Sequence, residues 1–413
     1  MRALSVSTNI DTNLFPKDWD VDELGVLASI TAGGTPSRSV ERFWNGDIPW
    51  ITTSEIEGST IEHAREFITK DGLNESATKL IPPGAILMAL YGQGTTRGKV
   101  AMLKIYAATN QACAAIILNK EISSLFIFHY LVSQYISIRK LSNTGNQENL
   151  NGAIVRSISV PRPPRKEQEA IAEALSDADA LIESLEQLLT KKRHIKQGAM
   201  QELLTFKKRL PGFNGAVEQK KLGQLGQWCG GMTPSMSHAE YWFDGQIPWI
   251  SSGDVKTRRL ITTNLAVSQL AIKEKRTTLV PANSIIVVMR SGILRKFFPV
   301  AMNMTPMAIN QDIKALILEK IYSPDFLLHA ITFAGERILA TCLKSGTTVE
   351  SIEFRWLKSF AIPVPKLEEQ TAIAQILSDM DAELTALEAK LVKARHIKQG
   401  MMQQLLTGKI RLV

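Results

Sequence analysis

Apolar residues recur at steps of four and three along two stretches of the chain. In the first they are Ile171, Leu175, Ala178, Ile182, Leu185 and Leu189; in the second, Ile373, Leu377, Met380, Leu384, Leu387 and Leu391. This spacing keeps one side of a helix apolar and forms the seam along which helix packs on helix. Residues 166–204 hold no proline and one glycine, Gly198. The pattern therefore predicts a rod of about 39 residues, roughly 58 Å long. Pro161, Pro163 and Pro164, and Pro363 and Pro365 ahead of the second stretch, stop each helix from extending backwards. Elsewhere short apolar runs predict strands at 85–90, 99–105, 285–290 and 313–318, and longer ones predict helices at 125–141 and 325–343. The fold class expected is α+β: two mixed α/β globular parts, each followed by a long helix.

The two helical stretches are copies of one another. Residues 160–210 lie over 362–412 without a gap, with about 30 of roughly 51 positions identical and the run RHIKQG in both. The preceding regions correspond more loosely: GGTPSRSVERFWNGDIPWITTSEI (33–56) faces GGMTPSMSHAEYWFDGQIPWISSGDV (230–255), and NQACAAI (110–116) faces NQDIKAL (310–316). A period near 200 residues marks the tandem duplication of a whole unit, not a solenoid. The expected division is 1–160, a first globular domain; 161–214, a central spacer helix; 215–362, a second globular domain; and 363–413, a C-terminal spacer helix.

Charge along the helices predicts how they pair. Acidic residues fill the first halves (Asp177, Asp179, Glu183, Glu186; Asp379, Asp381, Glu383, Glu388) and basic residues the second (Lys191, Lys192, Arg193, Lys196; Lys390, Lys393, Arg395, Lys398). A parallel pair would set like beside like. An antiparallel pair sets each acidic half against a basic one, and although an exposed ion pair contributes only about 0.2–1 kcal/mol, the contrast sums over several. Antiparallel packing of two repeats implies a pseudo-twofold axis with one globular part at each end of the rod.

Composition narrows the class further. The 413 residues carry a net charge of +8, distributed as roughly −1 over 1–160, +2 over 161–217, +6 over 218–362 and +1 over 363–413. An anionic partner is admitted, but only the second globular part is clearly basic. Cys113, Cys229 and Cys342 are widely spaced, odd in number and outside any CxxC pair, as expected of reduced, packed thiols in a cytoplasmic protein. No apolar run is long enough for a membrane span, and the first residues lack a signal-peptide pattern.

Catalytic patterns do not emerge. GQGTTRGKV (92–100) has too few residues between its glycines for a phosphate-binding loop, and Val100 stands where a magnesium-holding hydroxyl is needed. HExxH, GxSxG, GxGxxG and metal-ligand spacings are missing. His129 and His329 align as lone histidines on apolar helices, which fits hydrogen-bonded core residues, and Trp50 and Trp249 of the IPWI blocks read as core anchors. What remains is a set of glycine-bearing polar loops. They hold Gln93, Thr95, Thr96, Arg97 and Lys99; Asn146 and Gln147; Lys256, Arg258 and Arg259; Arg290, Ser291, Arg295 and Lys296; and Lys344, Thr347 and Thr348, joined by Arg38 of the first GGTPS block. Arginine reads guanine, asparagine and glutamine read adenine, and lysine and threonine hold phosphate. The same loops are also what ordinary surface turns look like.

Taken together, the duplicated GG-TPS…IPWI blocks, the helix starts PRPPRKEQEAIAEALSDAD and PVPKLEEQTAIAQILSDMD, and the RHIKQG…QxLLTxKxRL helix ends resemble the specificity subunits of type I restriction-modification systems, over nearly the whole chain and in the expected order. The resemblance implies a non-catalytic subunit whose globular parts are target recognition domains, each reading one half of a split double-stranded DNA target. It implies that the helices set the gap and bind two methyltransferase subunits, and that a restriction subunit joins for cleavage. S-adenosylmethionine, ATP and magnesium would then belong to those partners, and divergent heads would read an asymmetric target. The rod would span roughly 17 base pairs. Two other readings stay open: a nuclease or methyltransferase with a hidden active site, which would act as an isolated chain, and a scaffold whose heads bind protein, which would lack salt-dependent, sequence-selective DNA binding.

Overall fold

Strand runs that are apolar on every residue must be buried on both faces, and the central strands of this chain bear that out. In the computed structural model, which describes residues 15–92, 94–141, 149–344 and 349–412, the strand Ile86–Ala89 sends Ile86 and Met88 into one core and Leu87 and Ala89 into another. Its counterpart Ile285–Val288 does the same, Ile285 and Val287 on one side and Ile286 and Val288 on the other.

The chain forms two units: residues 1–186 with 390–413, and residues 187–389. In the first, a five-stranded sheet runs in the order Ala28–Ala32, Cys113–Leu118, Ile86–Ala89, Val100–Leu103, Thr60–Ile61. A three-stranded sheet pairs Trp44–Ile51 with Glu66–Ile68 and Ala108–Thr109, and Asp20–Glu23 pairs antiparallel with Ser159–Arg162. The second unit repeats this order as Gly226–Gly230, Ile313–Leu318, Ile285–Val288, Val300–Asn303, Arg259–Leu260, with its own ribbon of Glu218–Lys221 and Ala361–Val364. Its second sheet gains a strand, Thr278–Val280, where the first unit has only the bridge Ile81–Ala107. The duplication read from the sequence is therefore a duplication of topology.

The long helices are Arg165–Leu204 and Leu367–Leu405. The shorter apolar runs, predicted as single helices, are each broken in two: Ser124–Ser133 and Tyr135–Lys140, and Pro324–Phe333 and Gly335–Cys342. The break falls at Gln134 and Ala334, whose ψ values of 7° and −4° tighten the last turn. Periodicity passes through such a break because the residues on either side keep facing the same core.

Within each unit the two helix segments run antiparallel, and the charge pattern is the reason. In the first unit Lys398 pairs with Asp179 and Arg395 with Glu186 at 2.5 Å, so one number rises as the other falls. The second unit pairs Lys196 with Asp381, Lys192 with Glu383 and Arg193 with Glu388, the last two at 2.6 Å. The apolar seam faces inward: Ile171, Leu175 and Leu189 are buried, as are Ile373, Leu377, Leu387 and Leu391.

The repeated motifs at the helix ends grip one another. Glu167, fully buried, accepts from Trp19 Nε1 at 3.0 Å and from Arg411 Nε and Nη2 at 2.6 and 2.7 Å; in the second unit Glu369 takes two 2.7 Å bonds from Arg209. The neighbouring glutamine fastens the head. Gln168 Oε1 accepts from Ser123 N at 2.9 Å while its Nε2 donates to Pro163 O at 2.8 Å, and Gln370 does the same with Ser323 and Pro365. One helix start thus needs both its own Glu-Gln pair and the Arg of the other repeat, which accounts for EQ and KxRL recurring together in both copies.

His129 and His329 seal the same junctions. Each imidazole is buried and meets a long-helix serine, Nε2 to Ser176 Oγ at 3.2 Å and to Ser378 Oγ at 3.3 Å. Burial outweighs the attraction of Asp179 and of Asp381 and holds both pKa values near about 4, so the rings are neutral at pH 7. They are hydrogen-bonded core groups, as lone histidines on apolar helices are expected to be.

Candidate nucleic-acid interface

The polar loops leave the buried strands and turn back onto them. In the first unit the strand Ile86–Ala89 runs into a glycine loop in which Gly92, Gly94 and Gly98 have φ of 142°, 70° and 82°, values that side chains rarely adopt. The loop closes through Gly98 N to Ala89 O at 2.9 Å and Lys99 N to Thr96 O at 3.0 Å. It is moored by Tyr135 Oη, which donates to Thr95 O at 2.6 Å and receives Arg139 Nη1 at 2.8 Å. Thr95 is exposed, and Thr96 and Lys99 are half-buried. Arg97 differs from expectation: only 7% of it is exposed, so it belongs to the loop's interior in this conformation. A one-residue alternation in a tight turn decides which side chain points out, and spacing alone does not fix its phase.

Arg38 lies on a separate loop, behind a close approach of backbones. A Cβ on Gly33 would meet Thr109 O at 2.1 Å, which is why glycine opens the block. The Arg38 guanidinium lies 3.7 Å from the Trp44 ring centre and bonds Glu66 at 2.5 Å, yet its side chain remains 57% exposed. Trp50, the expected anchor, is buried and donates to Gly34 O at 3.0 Å. Glu66 had no sequence signal, since its partner is 28 positions away on another element.

In the second unit the loop after Ile285–Val288 carries Arg290, Ser291, Arg295 and Lys296. Ser291 Oγ accepts from Ile293 N and caps the short turn Gly292–Arg295. The loop is tied to the chain beyond residue 348: Ser291 N donates to Glu350 O at 3.0 Å, Arg295 Nε to Glu350 Oε1 at 2.5 Å, and Lys344 N to Ser351 O at 2.8 Å. The hydrogen bond from Arg295 holds the Glu350 carboxyl below its usual range, and that from Lys344, 2.9 Å from Glu353, does the same there. Arg290, Ser291, Arg295, Lys296 and Lys344 thus gather in one loop cluster. Among the described residues, Arg290 and Lys296 are its exposed cations outside any ion pair.

Lys256, Arg258 and Arg259 are placed differently, at the sheet edge. Lys256 is exposed, but Arg258 bonds Asp381 of the second long helix at 2.9 Å and Arg259 bonds Asp325 at 2.5 Å. With His329, Ser378 and Thr385 these two arginines line a cleft of about 390 Å³. Gln93, Asn146, Gln147, Thr347 and Thr348 lie outside the described residues. Among the described residues no cluster of His, Cys, Asp and Glu is arranged to hold a metal ion, and no helix is long and apolar enough to cross a membrane.

The model of the type I restriction modification DNA specificity domain matches the chain twice, over residues 16–192 and 214–394. The chain is 34% identical over 249 residues to the type I restriction enzyme EcoR124I/EcoR124II specificity subunit of Escherichia coli; the match covers 59% of this chain and 60% of that protein. It is 23% identical to the MjaIX specificity subunit of Methanocaldococcus jannaschii, over 97% of this chain and 96% of the other. Its fold is similar to the crystal structure of the S subunit of a type I restriction-modification system from M. genitalium, with a TM-score of 0.61 and 16% identity over 97% and 98% of the two chains.

Proposed function

Because the chain belongs to the type I restriction-modification DNA specificity family, as a specificity subunit that recognises DNA and leaves catalysis to others, we propose that each of its two heads reads one half of a split, asymmetric double-stranded DNA target. The recognition domains are residues 1–160 and 215–362; the spacers are residues 161–214 and 363–413. One observation carries the proposal: two heads of the same strand order present loops of different chemistry at the same places. The turn after Ile86–Ala89 offers threonines and a half-buried lysine, while the turn after Ile285–Val288 offers Arg290 and Lys296. A shared scaffold with divergent loops is what reading two different half-sites requires.

Among the residues singled out by sequence, Arg38, Thr95, Thr96 and Lys99 are assigned to the first half-site, and Lys256, Arg290, Ser291 and Lys296 to the second. Gln93, Asn146 and Gln147 are assigned to the first half-site as well, and Thr347 and Thr348 to the second. Arg295 and Lys344 are tied to acidic neighbours, and Arg258 and Arg259 to Asp381 and Asp325; these four position loops and contact phosphate only where that partner is exchanged, whereas Arg38, though bonded to Glu66, is held over the Trp44 ring with its side chain 57% exposed. Arg97, buried here, supports the glycine loop. The long helices set the gap between half-sites and carry two methyltransferase subunits, with a restriction subunit joining for cleavage. S-adenosylmethionine, ATP and magnesium act in those partners.

The test is selection from a randomised duplex library by the chain assembled with its methyltransferase. Enrichment of two fixed blocks at a constant separation supports the proposal. A stable assembly that enriches nothing would overturn it.

A further inference from the structure

The two heads hold one loop in the same way and differ at its tip. In the first head Thr35 Oγ1 bonds Gln111 Oε1 at 2.5 Å, Ser37 and Ser39 hydroxyls meet at 2.8 Å, and Trp44 Nε1 donates to Ser37 O at 3.0 Å. In the second, Thr233 bonds Gln311, Ser235 and Ser237 meet at 2.7 Å, and Trp242 Nε1 donates to Ser235 O at 3.2 Å. The indoles behind the loops repeat as well: Trp44 meets Trp50 edge-on at 5.1 Å, and Trp242 meets Trp249 at 5.2 Å. Between the paired serines stands Arg38 in one head and Met236 in the other.

The neighbour of the tip changes with it. Trp50 is paired in register with Glu66, and Trp249 with Leu265. Arg38 bonds Glu66, whereas Met236 and Leu265 are 66% and 47% exposed. A salt bridge in one head is thus replaced by two exposed apolar side chains at the matching positions of the other, while the Thr–Gln, Ser–Ser and Trp–Ser bonds beneath them are kept. A role in holding the loop would not explain this, since the Thr–Gln, Ser–Ser and Trp–Ser bonds are made in both heads without the tip side chain.

We infer that positions 38 and 236 are matched specificity-determining positions, Arg38 reading a guanine in one half-site and Met236 packing on the C5-methyl of a thymine in the other. The inference rests on the DNA-reading function proposed above. The chemistry follows the groove edges: a guanidinium donates to guanine O6 and N7, and an apolar tip suits the thymine methyl. Stacking on Trp44 and the bond to Glu66 fix the guanidinium before DNA arrives, so little side-chain freedom is lost on binding.

The experiment repeats the library selection with assembled complexes carrying Arg38→Met, or Met236→Arg together with Leu265→Glu, which rebuilds the ion pair. Arg38→Met is expected to reduce preference for guanine at one position by roughly tenfold or more, leaving every other position of both half-sites as before. The double variant is expected to turn one thymine of the other half-site into guanine. Weakening spread evenly over a half-site, with the base preferences kept, would overturn the inference and make these residues structural. So would unchanged motifs in both variants. If Arg38→Met fails to assemble, the double variant decides alone. Should the parent complex itself select no motif, it is the DNA-reading function that fails, an outcome distinct from a parent motif that neither variant alters.

Discussion

Lowering the pH from 8 to 5 is predicted to loosen each unit through a single histidine. Burial holds the His129 and His329 pKa values near about 4, against 6.5 for the free side chain. Above pH 6.5 the imidazole is neutral folded or unfolded, and the shift contributes nothing. Below 6.5 the unfolded chain takes up a proton that the folded chain refuses, so stability falls as pH falls and the loss is complete only below about 4. At pH 5 the difference amounts to about 2 kcal/mol per histidine, one in each unit. Asp179 and Lys398 face the first ring, and Asp381, Arg258, Lys196 and Asp325 the second, with opposing signs that leave burial dominant. Urea unfolding at pH 8 and pH 5 measures the loss. His129→Gln and His329→Gln keep an amide that donates to Ser176 or Ser378 but cannot titrate, so each should reduce the pH-dependent loss of its unit by about 2 kcal/mol. A variant whose stability falls between pH 8 and pH 5 as much as the parent's would refute this reasoning.

Three further outcomes are expected. Lys398→Glu places a carboxylate against Asp179 and should destabilise the first unit by about 1–2 kcal/mol, between an exposed and a buried pair; Asp179→Lys in the same chain should recover most of it in urea unfolding, and no recovery would mean the pair carries no orientation. Burial pushes the Cys113 thiol up to about 12, so alkylation of the native protein at pH 8, followed by peptide mass mapping, should label the half-buried Cys229 well before Cys113. Four residues inserted near Thr190 lengthen the helix by about 6 Å, and the gap between selected half-sites should grow; an unchanged gap would mean the helices do not set it.

Much of the fold was legible because its elements are buried on predictable faces. The heptad seam from Ile171 to Leu189 and the run Ile86–Ala89 each carry their burial in their spacing. The antiparallel pairing was legible because acid and base are segregated along each helix, and Lys398–Asp179 and Lys196–Asp381 realise it. The helix break at Gln134 was not, since a local change of ψ leaves the apolar pattern intact. The duplicated EQ and KxRL motifs were visible as repeats, but their mutual contact, Glu167 on Arg411, joins positions 244 apart and belongs to tertiary structure alone.

The loops were legible only as places. Sequence identified polar residues near glycines, which is enough to find the turn at 92–99 but not to decide that Thr95 faces solvent while Arg97 is buried. Arg258 and Arg259 looked like an exposed basic run, and the acidic groups that hold them, Asp381 and Asp325, lie on helices far along the chain. Met236 carried no polar signal at all; its interest appears only when the two loops are laid over one another and the Thr–Gln, Ser–Ser and Trp–Ser bonds agree while the tip does not.

The most direct test is to co-express the chain with its methyltransferase subunit and map modified bases across the host DNA by single-molecule sequencing. The account predicts one split, asymmetric motif with a fixed gap, modified once on each strand. A stable complex that leaves no such motif, or a single undivided one, would contradict it.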